Sequence, residues 1–311
     1  MSQRTRPAKI GIELPVAERK GRQDTARWAD ISAMARRADE VGFDSLWVED
    51  HLIFRHPGQE PQGVWECWSL MAALAAITER MEIGALVSCA TFRNPALTAK
   101  MADTIDEISG GRVILGLGAG WNEAEYRAFG FPFDHRVSRF EETLRIIHGL
   151  LKDGQIDFEG RFYSARDCEL RPRGPRPQGP PILLGTTGER MLRLTAQYAD
   201  QWNAYFVHTN NRASGVAELR ERVDAACHAV GRDPATLQRT ATVMVNMAGT
   251  AAKPLAPHWT FEPLTGTPDG IASELHAYAA QGISHIQLWL EPNTIESIEA
   301  FAPALAAFDR G

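Results

Sequence analysis

The sequence predicts an α/β protein folded as a (β/α)8 TIM barrel, a single domain over 1–311. Short apolar strand segments alternate with helix-period segments along the chain, the mark of β-α units around a parallel sheet. Eight such strands are legible. The other α/β architecture, a doubly wound open sheet, needs a G-x-G-x-x-G turn after the first strand, and none stands there. A chain of 311 residues suits a barrel, since these commonly reach about 250 residues or more as one unit.

The first strand is Lys9 to Leu14. Ile31, Met34, Ala35, Ala38 and Val41 then mark one stripe of a helix, stopped by Gly42. Phe43 to His51 is the second strand and Met81 to Thr91 the third. Asn94-Pro95 opens a helix running through Ile108, with proline well placed in a first turn. Val113 to Gly118 is the fourth strand. Phe140, Leu144, Ile147 and Leu151 set a helix near Ser138 to Leu151, and residues 152–181 read as inserted chain. Five prolines between Arg171 and Pro181 exclude a helix or central strand there and imply an extended surface segment. The rhythm returns with strand five at Pro181 to Gly185 and strand six at Gln201 to Phe206. Strand seven is Thr240 to Asn246 and strand eight His285 to Leu290. Helices follow at about Glu189 to Ala199, along Val216 to Val230, at Ile271 to Ala280 and at Ile295 to Phe308.

Composition is that of an ordinary soluble globular protein, 44% hydrophobic and 23% charged. A net charge of −6 argues against nucleic acid as a partner. No apolar run approaches the ~20 residues of a membrane span, and the N-terminal stretch has no signal-peptide core. Four widely spaced cysteines without a C-x-x-C pair fit a reduced, cytoplasmic protein. The expected partner is a small molecule.

The run from Gly111 to Glu123 is the densest in information. It loses its side chains at Gly116, Gly118 and Gly120, where a strand would leave a sheet, and continues as Trp121-Asn122-Glu123. Glycine in a strand marks close approach of another body to the backbone, or simply a tight turn. In a barrel the carboxyl ends of the strands share one mouth. There they bring together Glu13, Glu49-Asp50-His51, Cys89 to Arg93, Trp121 to Glu123, Gly185 to Glu189, Trp202 to Phe206 and Glu291. Glu49-Asp50-His51 is the most reactive cluster, since imidazole exchanges protons near neutrality and a carboxylate fixes its tautomer. A metal-dependent hydrolase is set aside: strand one has no His-x-His, and strands five and six supply no histidine. Gly185-Thr186-Thr187-Gly188, between strand and helix, suits a phosphate or a plain helix cap. Trp47, Trp121 and Trp202 suit a planar ring or ordinary packing. Arg171, Arg173 and Arg176 read as a solvated loop or as a contact for an anionic tail.

Five ordered motifs carry a broader resemblance. They are Phe43-Asp-Ser-Leu-Trp-Val-Glu-Asp-His51, Thr91-Phe-Arg-Asn-Pro95, and Ser109-Gly-Gly-Arg-Val-Ile-Leu-Gly-Leu-Gly-Ala-Gly-Trp-Asn-Glu-Ala-Glu-Tyr126. Leu184-Gly-Thr-Thr-Gly-Glu-Arg190 and Tyr198-Ala-Asp-Gln-Trp-Asn203 complete them. The chain resembles the bacterial-luciferase-like flavin oxidoreductases, most of all the branch using the deazaflavin coenzyme F420. The resemblance implies a luciferase-like barrel with insertions at its carboxyl face (about 124–180) and a ring held in the mouth. It implies a bulged third strand with a non-prolyl cis peptide near Leu86-Val87 or at the next bond. His51 becomes the acid/base, with Glu123 or Glu49 assisting, and Asp50, Ser88, Cys89, Thr91 and Asn122 line the ring or substrate. Leu86 and Val87 lie under the ring, and Gly185, Thr186, Thr187 and Gly188 meet the cofactor's phosphate or tail. Thr186-Thr187, Cys89 and Gln201 depart from the commonest family residues at their positions. The implied activity is hydride transfer between F420 and a small organic substrate. The alternatives are an FMN-dependent monooxygenase fed by a partner reductase and using O2, and a non-catalytic flavin-binding protein. A homodimer follows from the resemblance only. The segment Ala251 to Pro268, with Trp259 and Phe261, is expected to form a lid.

Overall fold

In the computed structural model, residues 6–18, 25–56, 58–247 and 261–311 are described. The eight predicted strands are present as β1 (Lys9–Glu13), β2 (Ser45–Val48), β3 (Glu82–Ala85), β4 (Val113–Gly118), β5 (Ile182–Gly185), β6 (Gln201–Ala204), β7 (Gln238–Asn246) and β8 (His285–Glu291). Helices lie between them: α1 (Trp28–Val41), α2 (Cys67–Ile77), α3 (Pro95–Ser109), α4 (Glu123–Phe129), α5 (Arg136–Asp153), α6 (Glu189–Tyr198), α7 (Val216–Ala229), α8 (Pro268–Ala280) and α9 (Ile295–Arg310). Strand order and parallel pairing are those of a (β/α)8 barrel. Among the described residues no helix is long and apolar enough to cross a membrane. The lid expected over Ala251 to Pro268 lies largely outside the described residues.

The chain divides into two compact units. One comprises Met1–Pro15, Asp30–Trp47 and Gly185–Gly311. In it β6, β7, β8 and β1 pair in parallel, with Asn203 opposite Thr240, Thr240 opposite His285, and His285 opposite Lys9. Its interior mixes buried aliphatics such as Ile10, Ile12 and Leu288 with a hydrogen-bonded polar layer. The Asn203 amide donates to Thr240 Oγ1 and Gln287 Oε1, both at 2.9 Å, and Thr242 Oγ1 donates back to Asn203 Oδ1. Trp47 Nε1 donates to Ser45 Oγ at 2.7 Å, and that hydroxyl lies 2.7 Å from His285 Nε2. Burial, helped by the charge of Lys9, pushes the His285 imidazole down to about 3, so it stays neutral. A side chain at Gly11 would strike Ser45 Oγ at 2.1 Å and Trp47 Nε1 at 2.6 Å, which explains the glycine in β1.

The other unit comprises Val16–Ala29 and Val48–Leu184. Here β3 and β5 flank β4 in parallel, with Ile83 opposite Val113 and Ile182 opposite Leu115. The third strand breaks after Ala85 and resumes as Ser88–Cys89, paired to Leu117 and Gly118 of β4. The Leu86-Val87 peptide between them is cis, the first of the two bonds the resemblance indicates. α3 is bounded as expected: Asn94 Oδ1 accepts from the Ala96 and Leu97 amides, and Gly110 ends the helix at φ +67°.

Arg112, just ahead of β4, spreads its guanidinium over the end of α2. Nε donates to the Ser109 carbonyl, Nη1 to Thr78 Oγ1 and the Met81 carbonyl, and Nη2 to the Ala75 and Thr78 carbonyls, at 2.6–3.0 Å. The Ala75, Thr78 and Ser109 carbonyls lie at the C-terminal ends of α2 and α3, where carbonyls lack intrahelical partners. Arg112→Met keeps the stem and removes the fork. It is expected to cost about 2–4 kcal/mol, read as a lower urea midpoint at unchanged slope.

The inserted region is more ordered than its composition implies. Gln155–Glu159 and Ser164–Glu169 form an antiparallel hairpin. The Glu142 carboxylate on α5 accepts the Arg161, Phe162 and Tyr163 amides at its turn. The proline-rich stretch beyond is extended, but its arginines are not all solvated. Arg173 donates to the Leu151 and Pro177 carbonyls, and Arg176 grips the buried Asp106 with two nitrogens. Only Arg171 of the three is strongly exposed, paired with Glu169. Arginine's planar fork matches carbonyl and carboxylate acceptors, so here it anchors a segment that has few amides to offer.

Candidate active site

The carboxyl end of β2 delivers Glu49, Asp50 and His51, and the first turns of α4 meet them. His51 Nδ1 lies 2.8 Å from Glu125 Oε1, with the carboxylate almost fully buried and the ring 17% exposed. Glu125 Oε2 accepts the Leu52 amide at 2.9 Å. One residue therefore holds both the imidazole and the main chain that follows it. Asn122, at the N-cap of α4, donates from its side-chain amide to the Ile53 carbonyl at 3.1 Å instead of capping its own helix. The His51 ring sits 4.5 Å from that of Phe54 and 5.5 Å, edge-on, from Trp121, which is 60% exposed.

Burial alone disfavours the charged ring of His51. The bond to Glu125, with the charges of Glu49, Glu125 and Asp50, overrides that and raises its pKa above the ordinary histidine value. The Glu49 carboxyl is also raised, first by desolvation and further by the charge of Glu125, against the opposing pull of His51. One acid, Glu49, and one imidazole with displaced titrations in one place mark a site for proton handling.

Asp50 is buried and engaged by the protein's own donors. Its carboxylate accepts from both terminal nitrogens of Arg93 (2.7 and 3.0 Å), from Ser88 Oγ (2.7 Å) and from the Cys89 amide (3.0 Å). Trp68 Nε1 donates to the same Ser88 hydroxyl, and Arg93 reaches on to Glu66, whose carboxylate caps α2 at the Ser69 amide. Ser88 and Cys89 are thus fixed through Asp50. The Cys89 thiol lies 3.0 Å from Tyr126 Oη, which also touches Thr91 Oγ1 and donates to the Ala119 carbonyl. Burial pushes the thiol up to about 11 against these hydrogen bonds, so it stays protonated at neutral pH.

The glycines of β4 and its exit face protein atoms. A Cβ on Gly116 would lie 1.9 Å from the Ala85 carbonyl oxygen, and one on Gly118 2.7 Å from Val87 Cγ2. One on Gly120, at φ +74°, would lie 2.1 Å from Tyr126 Oη and 2.6 Å from Cys89 Sγ. They admit the broken third strand and the Tyr126–Cys89 contact. The body that approaches the backbone is the chain itself, not directly a bound ring. Val87 is partly accessible between buried Leu86 and buried Ser88. That accessible edge, with exposed Trp121 and the held imidazole, fits a flat ring with a proton-exchanging group beside it.

Of the remaining residues singled out in the sequence, Glu123 is exposed at the first position of α4, two residues before Glu125 and so on the opposite side of the helix. Trp47 and Trp202 are fully buried, and Trp202 Nε1 donates to the Thr186 carbonyl at 2.9 Å. The Thr187 carbonyl accepts from Arg222, while Gly188 caps α6 with open space where a side chain would be. Gly185 ends β5. Glu125, Arg93 and Tyr126 carry more of the geometry than the sequence assigned them. The signal for Glu125 was helical spacing: it falls three residues after Asn122, so both reach the same stretch of chain.

Residues 8–261 match the family described as luciferase-like monooxygenase. Pyrimidine monooxygenase RutA of Caulobacter segnis is 34% identical over 209 residues, 64% of this chain and 57% of the relative. F420-dependent glucose-6-phosphate dehydrogenase of Amycolatopsis mediterranei is 34% identical over 190 residues, 59% of this chain and 54% of the relative. The chain therefore matches a little over half the length of these curated relatives. Among solved structures, an F420-dependent secondary alcohol dehydrogenase superposes with a TM-score of 0.78 at 19% identity over 97% of this chain and 99% of the other. Monooxygenase RslO1 from Streptomyces bottropensis gives 0.74 at 20% identity, covering 96% and 98%. These likenesses support the barrel. With the match covering most of its length, the chain belongs to the luciferase-like monooxygenase family.

Proposed function

We infer that this protein is an oxidoreductase that uses the deazaflavin F420 to pass a hydride to or from a small organic substrate. The carrying observation is the imidazole of His51, held by Glu125 at 2.8 Å beside the exposed Trp121. When bound, the deazaflavin supplies the two-electron chemistry, and the protein supplies orientation, electrostatics and a proton. His51 donates or accepts that proton, and Glu49 tunes its charge. Val87 and Trp121 flank the ring, Ser88, Cys89, Thr91 and Asn122 shape the wall around it, and Gly185 to Gly188 receive the cofactor's anionic tail. Asp50 acts one step back, by fixing Ser88 and Cys89. A homodimer in a reduced, cytoplasmic setting, with a reductase renewing the cofactor, completes the reading.

The similarity to RutA supports a second reading, an FMN-dependent monooxygenase that consumes O2 with reduced flavin from a partner. Absorbance titration against F420 and against FMN separates the two. Tight FMN binding without F420 binding, or substrate oxidation that consumes O2, overturns the first. Under either reading His51→Gln is expected to lower turnover by about 10²–10⁴-fold, the range of general acid–base catalysis, with cofactor affinity unchanged. Full turnover in that variant removes His51 from the mechanism.

A further inference from the structure

We propose that Glu125 is the positioning residue for His51: it accepts a hydrogen bond from Nδ1–H, which makes Nε2 the single ring atom through which the histidine exchanges protons with substrate. This rests on the proposed role of His51, but its geometry stands independently. Glu125 uses one oxygen for the imidazole and the other for the Leu52 amide. Rotating the ring therefore breaks the Nδ1 bond, and the carboxylate cannot follow without abandoning a backbone donor. Asn122, from the same helix turn, pins the Ile53 carbonyl, so the chain just after His51 is held at two points. Phe54 and Trp121 restrict the ring's remaining freedom. Among the described residues Nδ1 is the ring nitrogen with a hydrogen-bond partner, and a carboxylate on one nitrogen of a neutral histidine sets which nitrogen is free.

Three carboxylates act on the imidazole: Glu49 and Asp50 from the end of β2, and Glu125 from α4. Asp50 is offset by the paired Arg93, which leaves Glu49 and Glu125 as the groups that differ in kind. Glu125 alone is hydrogen-bonded to the ring. Its removal therefore lowers the affinity of His51 for its second proton and frees the tautomer. A role confined to packing α4 does neither.

The test uses the cofactor-free protein labelled with 15N and 13C at histidine, with His51→Gln assigning the signal among nine histidines. In the unmodified protein, neutral His51 is expected to carry its proton on Nδ1. A predominant Nε2–H form overturns the proposal, and this arm needs no variant to fold. In Glu125→Gln the protonation midpoint of His51 is expected to move to lower pH and the tautomers to mix. An unchanged midpoint and tautomer also overturn it. In turnover assays the His51 limb of the pH profile moves to lower pH in the same variant, with kcat down at least about tenfold and KM less affected. The nuclear resonance arms involve neither F420 nor FMN. They can succeed while the redox reading fails, and can fail while it stands.

Discussion

Replacing Gly116 with alanine is expected to cost about 3 kcal/mol or more of folding stability, while the same change at Gly118 costs about 1–2 kcal/mol. The difference lies in what each new methyl meets. At Gly116 it falls 1.9 Å from the Ala85 carbonyl oxygen, a backbone atom of the strand paired alongside. Nothing there rotates away, so β3 and β4 must separate or the chain at Ala85–Val87 must move. At Gly118 the obstacle is one methyl of Val87 at 2.7 Å, a side chain at a partly accessible site. A second substitution sharpens the contrast: Val87→Ala restores most of the loss in Gly118→Ala and little of that in Gly116→Ala. Urea unfolding of the four variants measures this. Equal costs at the two glycines, or rescue of both by Val87→Ala, would show that the broken third strand does not lie against β4 as described.

Those glycines also show where sequence reasoning reaches and where it stops. The eight strands were legible because apolar runs, caps and proline punctuation are local, and Asn94 and Gly110 do at the ends of α3 what their residue types imply. The glycine run was legible as a place of close approach. What approaches was not, because a missing side chain does not name the atoms that fill its space. Ala85, Val87, Tyr126 and Cys89 do so, and only the register of β3 on β4 brings the first two there. The site divides in the same way. His51 stands out by type and by position at a strand end. From sequence its assisting carboxylate is Glu123 or Glu49; helical phase turns Glu125 toward the histidine and leaves Glu123 exposed. Arg173 and Arg176 read as solvated because they are charged and flanked by prolines, yet that segment has few amides and its arginines supply further donors.

Arg93→Met is expected to destabilise the protein by about 3–5 kcal/mol, the range for leaving a buried charge without its partner. The Asp50 side chain is wholly buried and two of its four donors come from this one guanidinium, itself 14% exposed. Methionine fills part of the arginine's volume over Trp68 and donates nothing. Among the described residues Asp50 then keeps only Ser88 Oγ and the Cys89 amide, too little to hold a carboxylate charge away from water. Arg93→Lys keeps the charge but not the fork that reaches two Asp50 oxygens and Glu66, so an intermediate loss is expected. The consequence for the site is separable from stability. Asp50 adjoins His51 in the chain and fixes Ser88 and Cys89, so loosening it disturbs the histidine and the third strand together. A double-mutant cycle tests this: with Asp50→Asn already present, Arg93→Met should cost less than it does alone, by about 0.5–3 kcal/mol. Additive losses would mean that Arg93 stabilises the fold through Glu66 and Trp68 and not through Asp50. The Asp50–Arg93 pair would then lose its place as the link that seats the third strand beside the histidine.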